Sequence, residues 1–176
     1  MAYAISLSAN NRSADRVRQL WHDFGLLEDE PTMSRLNYPP HITFAVWDDI
    51  EANEVGDIVQ SVFRERACVH LTFDRLCYFD ADPLVVWAAP SCSNDLVALH
   101  GEIHRHLEPE SCREHYRPGN WVPHCTLAME VAAANRQQAI ELTSHQLVPI
   151  EVVFDAADLV SFPPVDLKVR LRLKKF

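Results

Sequence analysis

The stretch Tyr38-Pro39-Pro40-His41-Ile42-Thr43-Phe44-Ala45-Val46 has a counterpart in Trp121-Val122-Pro123-His124-Cys125-Thr126-Leu127-Ala128-Met129. Both are apolar segments entered through proline, and both carry His-x-Thr. Their composition predicts strands over 41–47 and 124–130. Proline suits a strand start and is excluded from the middle of a central ladder, so Pro39, Pro40 and Pro123 agree with that placement. A strand repeats every two residues, so the His and Thr of each triplet share a face and the residue between them points the other way. Ile42 and Cys125 suit the buried side. His41 with Thr43, and His124 with Thr126, then face a groove.

Working outward from the two triplets, the same order of elements occurs twice. Strand 2–9 leads to a helix over 13–27, capped by Asn11 or Ser13. Strand 41–47 follows, then a helix over 51–66 with Val55, Ile58, Val59 and Val62 on one side, then strand 68–79. The second round has a strand over 84–90, a helix over 94–107 with Asn94 near its cap, strand 124–130, a helix over 134–146 and a strand over 150–161. Matching points keep nearly one offset: Tyr3 to Leu84 is 81 residues, His41 to His124 is 83 and Val69 to Glu151 is 82. This predicts an α+β fold: one bilobal, duplicated domain over 1–176. Its first repeat covers about 2–79, its second about 84–161, and a closing strand about 165–175. Two antiparallel sheets with helices outside would enclose a central groove.

Composition sets outer limits. A chain of 176 residues with 48% apolar content suits one compact domain. No apolar run reaches the roughly 18 residues of a membrane helix, and the start reads as a first strand rather than a leader. A cytoplasmic protein without membrane contact is expected. The net charge of −9 argues against a broad footprint on long nucleic acid. The exception is the closing strand, where Lys168, Arg170, Arg172 and Lys174 alternate with Leu167, Val169, Leu171 and Leu173. That basic face either keeps the sheet edge soluble or lines a phosphate groove. Five cysteines, Cys68, Cys77, Cys92, Cys112 and Cys125, include no CxxC pair and are expected as reduced, buried thiols. His100, His104, Cys112 and His115 cluster in sequence, but their spacing matches no zinc motif. A solvated helix end and loop is expected there, with no metal and no cofactor.

Two histidines and two threonines in one groove suit phosphodiester chemistry. One imidazole activates the attacking oxygen and the other protonates the departing one, on opposite sides of phosphorus. The hydroxyls donate to the nonbridging oxygens as their charge grows. No metal is required.

PPHITFAV and VPHCTLAM also resemble the paired signatures of the two-histidine (2H) phosphoesterase superfamily, which contains cyclic nucleotide phosphodiesterases and the 2'-5' RNA ligase-like proteins. The resemblance extends over nearly the whole chain in length, motif separation and bilobal order. It implies that His41 and His124 are the catalytic pair and that Thr43 and Thr126 bind phosphate. It also implies activity on 2',3'-cyclic phosphates, ADP-ribose cyclic phosphates or RNA ends, typically without metal. Phe44 and Trp47-Asp48-Asp49-Ile50 depart from the usual ligase-like residues, so the likeness reaches the superfamily and chooses no branch. The expected partner is a small nucleotide or RNA end; a monomer is favoured. A noncatalytic nucleotide or RNA-end binder using the same groove is the alternative.

Four further residues are candidates for substrate contact. Tyr38 and Trp121, each three residues before a histidine, would either stack on a base or fill the core. Tyr116 stands near the second triplet. Arg117 would either reach a phosphate or lie on the surface. His22, His70, His106 and His145 are expected at the surface or in packing.

Overall fold

The computed structural model describes residues 1–48, 50, 52–91, 94–106 and 108–175. Asp49 and Cys92 lie outside these, as do Glu51 and Leu107, the expected first and last residues of two helices. Among the described residues, eight strands form two four-stranded antiparallel sheets. The first sheet contains β1 (Ala2–Ser8), β2 (His41–Trp47), β7 (Ala156–Phe162) and β8 (Asp166–Arg172), in the order β2-β1-β7-β8. The second contains β3 (Val69–Phe79), β4 (Leu84–Pro90), β5 (Cys125–Val131) and β6 (Ile150–Phe154), in the order β5-β4-β3-β6. The architecture is therefore α+β.

The sheets do not divide the chain at its middle. The second is built from one uninterrupted segment, 69–154, and the first takes strands from both sides of it. β3 lies beside β4 and β6, with Thr72 opposite Glu151, whereas β1 pairs with β7. The strand expected over 150–161 is thus two strands in two sheets. The chain changes sheets at Asp155, whose N–H donates to the Ser8 carbonyl and whose carbonyl accepts from Leu173 N–H.

Five α-helices are described. α1 (Asp15–Gly25) follows a 3-10 turn at Arg12–Ala14, where the Asn11 side chain accepts from Ser13 N–H at 3.0 Å. α1 and the short α2 (Thr32–Arg35), in a segment expected as loop, pack against β5 of the second sheet. α3 (Ala52–Phe63) covers β1, β7 and β8, burying the expected Val55, Ile58, Val59 and Val62. α4 (Asn94–His104) packs on α3 and β2, and α5 (Arg136–Thr143) on β3 and β4. Each sheet is therefore contacted by a helix from the other side of the sequence. One continuous core joins them, with Ile5, Leu7, Phe44 and Trp47 from the first sheet meeting Phe73, Leu127 and Phe154 from the second.

No helix among the described residues is long and apolar enough to cross a membrane. Cys68, Cys112 and Cys125 are buried free thiols and Cys77 is half-buried.

Candidate active site

β2 and β5 each lie at the edge of their sheet and approach one another. Along β2 burial alternates as the two-residue repeat requires: Ile42 and Phe44 are fully buried, while His41 and Thr43 are partly open. In β5, Cys125 and Leu127 are buried and Thr126 is partly open, as is His124 immediately before the strand. The two triplets therefore turn their polar faces into one cavity of about 150 Å³. His41, Thr43, His124 and Thr126 all line it, with Ser6, Tyr38 and Tyr116 among their neighbours. A larger, shallower depression of about 780 Å³ between α3, α4 and the start of β3 contains neither triplet.

The two imidazoles are held alike. His41 Nδ1 lies 2.9 Å from the Pro39 carbonyl, and His124 Nδ1 lies 2.7 Å from the Val122 carbonyl. A carbonyl oxygen only accepts, so each Nδ1 carries the proton and donates it. Each Nε2 is then free to accept a proton from a ligand, or to give one once the ring is charged. The prolines, by admitting the chain into each strand, leave that carbonyl two residues before each histidine.

Burial pushes His41 down to about 4, against the opposing pull of the Pro39 carbonyl; nearby His124 lowers it further, and the Asp158 carboxylate favours the charged form. His124 is also pushed down by burial, opposed by the Val122 carbonyl. Both rings are accordingly neutral in the ligand-free site at pH 7.

The surroundings differ. His41 packs on Tyr38, ring centres 4.9 Å apart. The Tyr38 hydroxyl donates to fully buried Asp158 at 2.7 Å, as does Ser8 Oγ at 2.7 Å, while Arg170 donates to both carboxylate oxygens at 2.8 and 2.7 Å. His124 instead meets the edges of Phe79 and Trp87, at 5.2 and 5.8 Å. Thr43 Oγ1 lies 3.0 Å from Ser6 Oγ, directly across the β1–β2 ladder.

Two tryptophans fix the threonines from behind. Trp21 of α1 donates its indole N–H to the Thr126 carbonyl at 2.8 Å, and Trp121 donates to the Thr43 carbonyl at 2.9 Å. Each sheet's triplet is thereby held by a residue from the other side of the sequence. Tyr38 and Tyr116 join the histidines in the cavity, whereas Trp121 and Arg117 do not line it. Trp121 stacks on His100 at 4.2 Å and on Phe44 at 5.2 Å. Arg117 donates to the carbonyls of Cys112 and Glu110.

His100 and His104 are buried, contrary to the solvated helix end expected from sequence. His100 Nε2 bonds the Tyr116 carbonyl at 2.8 Å, and the Trp121 indole shields its ring. Among the described residues no three His, Cys, Asp or Glu side chains are grouped to hold a metal ion. The basic residues of β8 and of the segment after it do not line the cavity either: Arg170 pairs with Asp158, Arg172 with Asp155, Lys168 with Asp166 and, beyond the strand, Lys174 with Glu65.

Sequence reasoning missed Asp158, Ser6, Trp21, Phe79 and Trp87. Asp158 had a signal, as the one acid within the apolar run Ala156–Phe162. Ser6 and Ser8 had another, as the two serines of β1, spaced like the triplet they face.

The family model of the 2'-5' RNA ligase superfamily matches residues 10–163, which include both triplets. The chain belongs to that superfamily. Solved structures with this superfamily member's fold include E. coli LigT complexed with 3'-AMP, at 16% identity and a TM-score of 0.60 over 98% of this chain and 99% of that one. They also include E. coli LigT complexed with NADP+, at 14% identity and a TM-score of 0.62 over 97% and 96%. TT0787 of Thermus thermophilus is similar at 16% identity, with a TM-score of 0.63 over 98% of each chain. No curated protein sequence matches the chain.

Proposed function

We propose that this superfamily member is a phosphodiesterase that opens a 2',3'-cyclic phosphate, or a related small diester at a nucleotide or RNA end. His41 and His124 form its acid–base pair, and no metal is needed. One observation carries this: two imidazoles enter one cavity from facing strand edges, each tied at Nδ1 to a carbonyl with Nε2 left for a ligand. Membership of the 2'-5' RNA ligase superfamily over residues 10–163 supports a nucleotide or RNA-end ligand.

In the step itself, a water oxygen bonds phosphorus while the ribose oxygen departs from the opposite side. His124, neutral through burial, takes the water proton. His41, charged once the anion is bound and favoured in that form by Asp158, gives its proton to the departing oxygen. One P–O bond forms, one breaks, one water is consumed, and the pair ends with its proton exchanged. Thr43 and Thr126 donate to the nonbridging oxygens. With Ser6 as donor to Thr43 Oγ1, the Thr43 proton is left for phosphate.

Turnover of 2',3'-cyclic nucleotides by purified protein in the presence of chelator tests the reading. His41→Ala and His124→Ala should each lose about 10²–10⁴-fold. Binding without turnover in the parent protein would identify a noncatalytic binder, and full activity in either variant would remove the mechanism.

A further inference from the structure

The cavity between the histidines is walled almost entirely by uncharged groups. Beyond the two imidazoles, its polar groups are the hydroxyls of Ser6, Thr43, Thr126 and the two tyrosines. The remainder is apolar and includes Met33, Leu36, Met129 and Phe162. Among the described residues of the lining there is no Lys, Arg, Asp or Glu. The guanidiniums around it are engaged elsewhere. Arg170 is bidentate to Asp158, and Arg117 donates to two backbone carbonyls. Arg113 lies 5.7 Å from the Phe162 ring centre but pairs with Asp48. A separate polar pocket beyond Tyr38 and Val165 contains Arg18 and Arg170, and Arg18 is paired with Asp15 at 2.8 Å.

This arrangement limits the charge the site can balance. A phosphodiester carries one negative charge, which a single protonated histidine neutralises. A ligand with a second phosphate, or a phosphomonoester above its second pKa of about 6, brings charge that only protonation of the second imidazole could offset, and burial favours the neutral form of both rings. Uncompensated charge against apolar walls is expelled, because its hydration is lost without replacement.

We propose that this cavity selects phosphodiesters with one negative charge and an uncharged remainder, and rejects ligands bearing a further anionic group. This rests on the hydrolase reading above and narrows it. Nucleoside 2',3'-cyclic phosphates without a 5'-phosphate fit, and substrates carrying a pyrophosphate do not. The same selection clears the site after each turnover, since the monoester product is a monoanion as formed and becomes a dianion by losing a proton above its second pKa of about 6. Product inhibition is therefore weak at neutral and alkaline pH.

The test compares adenosine 2',3'-cyclic phosphate with its 5'-phosphorylated form at about pH 8, reading calorimetric binding and turnover separately. The 5'-phosphate should weaken binding and lower kcat/KM by roughly tenfold or more, and 2'- or 3'-AMP should bind as poorly. Met129 is 46% exposed and lines the cavity, so Met129→Lys adds an ammonium at its rim. That variant should erase the discrimination. Equal or tighter binding of the 5'-phosphorylated ligand by the parent protein overturns the proposal and points to the Arg18–Arg170 pocket as a second phosphate subsite. Discriminating binding without turnover sinks the hydrolase reading and leaves the selectivity standing. Turnover without discrimination sinks the selectivity alone, and binding of neither ligand overturns both.

Discussion

Asp158→Asn tests the buried network behind His41. The carboxylate is fully buried and accepts from Ser8, Tyr38 and both Nε and Nη2 of Arg170. The amide keeps the shape, removes the charge and turns an N–H₂ toward a donor. Breaking a buried ion pair from one side costs about 3–5 kcal/mol. The Arg170 side chain keeps 25% of its exposure and recovers some hydration, which sets the loss near the lower end, about 3 kcal/mol. For a chain of this size each kcal/mol moves the melting temperature by about 2–4 °C, so the midpoint should fall by roughly 6–12 °C. Adding Arg170→Met should restore part of it, because the second change removes the stranded cation. Thermal unfolding followed by circular dichroism reads all three proteins. A single variant melting within about 2 °C of the parent, or a double variant less stable than the single, would refute the account. The activity readout is separate. Loss of a carboxylate that favours charged His41 should move the kcat/KM optimum to lower pH, which a purely structural role would not do.

Three other expectations concern the site. On a substrate with a very good leaving group, His41→Ala should lose much less activity than His124→Ala, since the acid is then scarcely needed; the reverse order would exchange the roles. Burial lowers both histidines, His41 to about 4, so the singly protonated free enzyme is most populated on the acid side of the ordinary value of 6.5. The bell of kcat/KM against pH should peak below 6.5, both limbs belonging to the pair as a unit, and a peak above pH 7.5 would contradict those environments. Trp121→Phe leaves the Thr43 carbonyl without its 2.9 Å donor, which should lower the urea unfolding free energy by about 1–3 kcal/mol and reduce kcat more than it raises KM; an unchanged protein would show that the indole fills space only.

The core of the site was legible because its signal is local. Two-residue alternation around His41 and His124 places four side chains on exposed faces, and the stripe Val55, Ile58, Val59 and Val62 places a helix. What escaped depends on partners remote in sequence. The run from Ile150 to Phe162 contains no Gly or Pro, so its passage from one sheet to the other at Asp155 leaves no punctuation to read. His100 and His104 look solvated beside acidic neighbours; they are buried because Trp121 and the carbonyls of Tyr116 and Phe44 meet them. The tryptophans show the same limit in reverse. Trp121 is conspicuous near His124, yet its indole serves Thr43, 78 residues away.

The placement of 69–154 inside the first sheet's sequence has a consequence for biosynthesis. Chains emerge from the ribosome N-terminus first, and units fold as their strands become available. The second sheet has all its strands once residue 154 is out, so it can close while the first sheet still lacks β7 and β8. β1 can pair with β2 early, but its other edge waits for β7, which follows 69–154 in sequence, and long-range closures of that kind are slow. Asp158 and Arg170 arrive with β7 and β8, so the packing behind His41 is completed only after the second sheet has all its strands. A chain that has emerged only as far as residue 154 has both histidines but lacks the Val160, Phe162 and Val165 walls of the cavity between them.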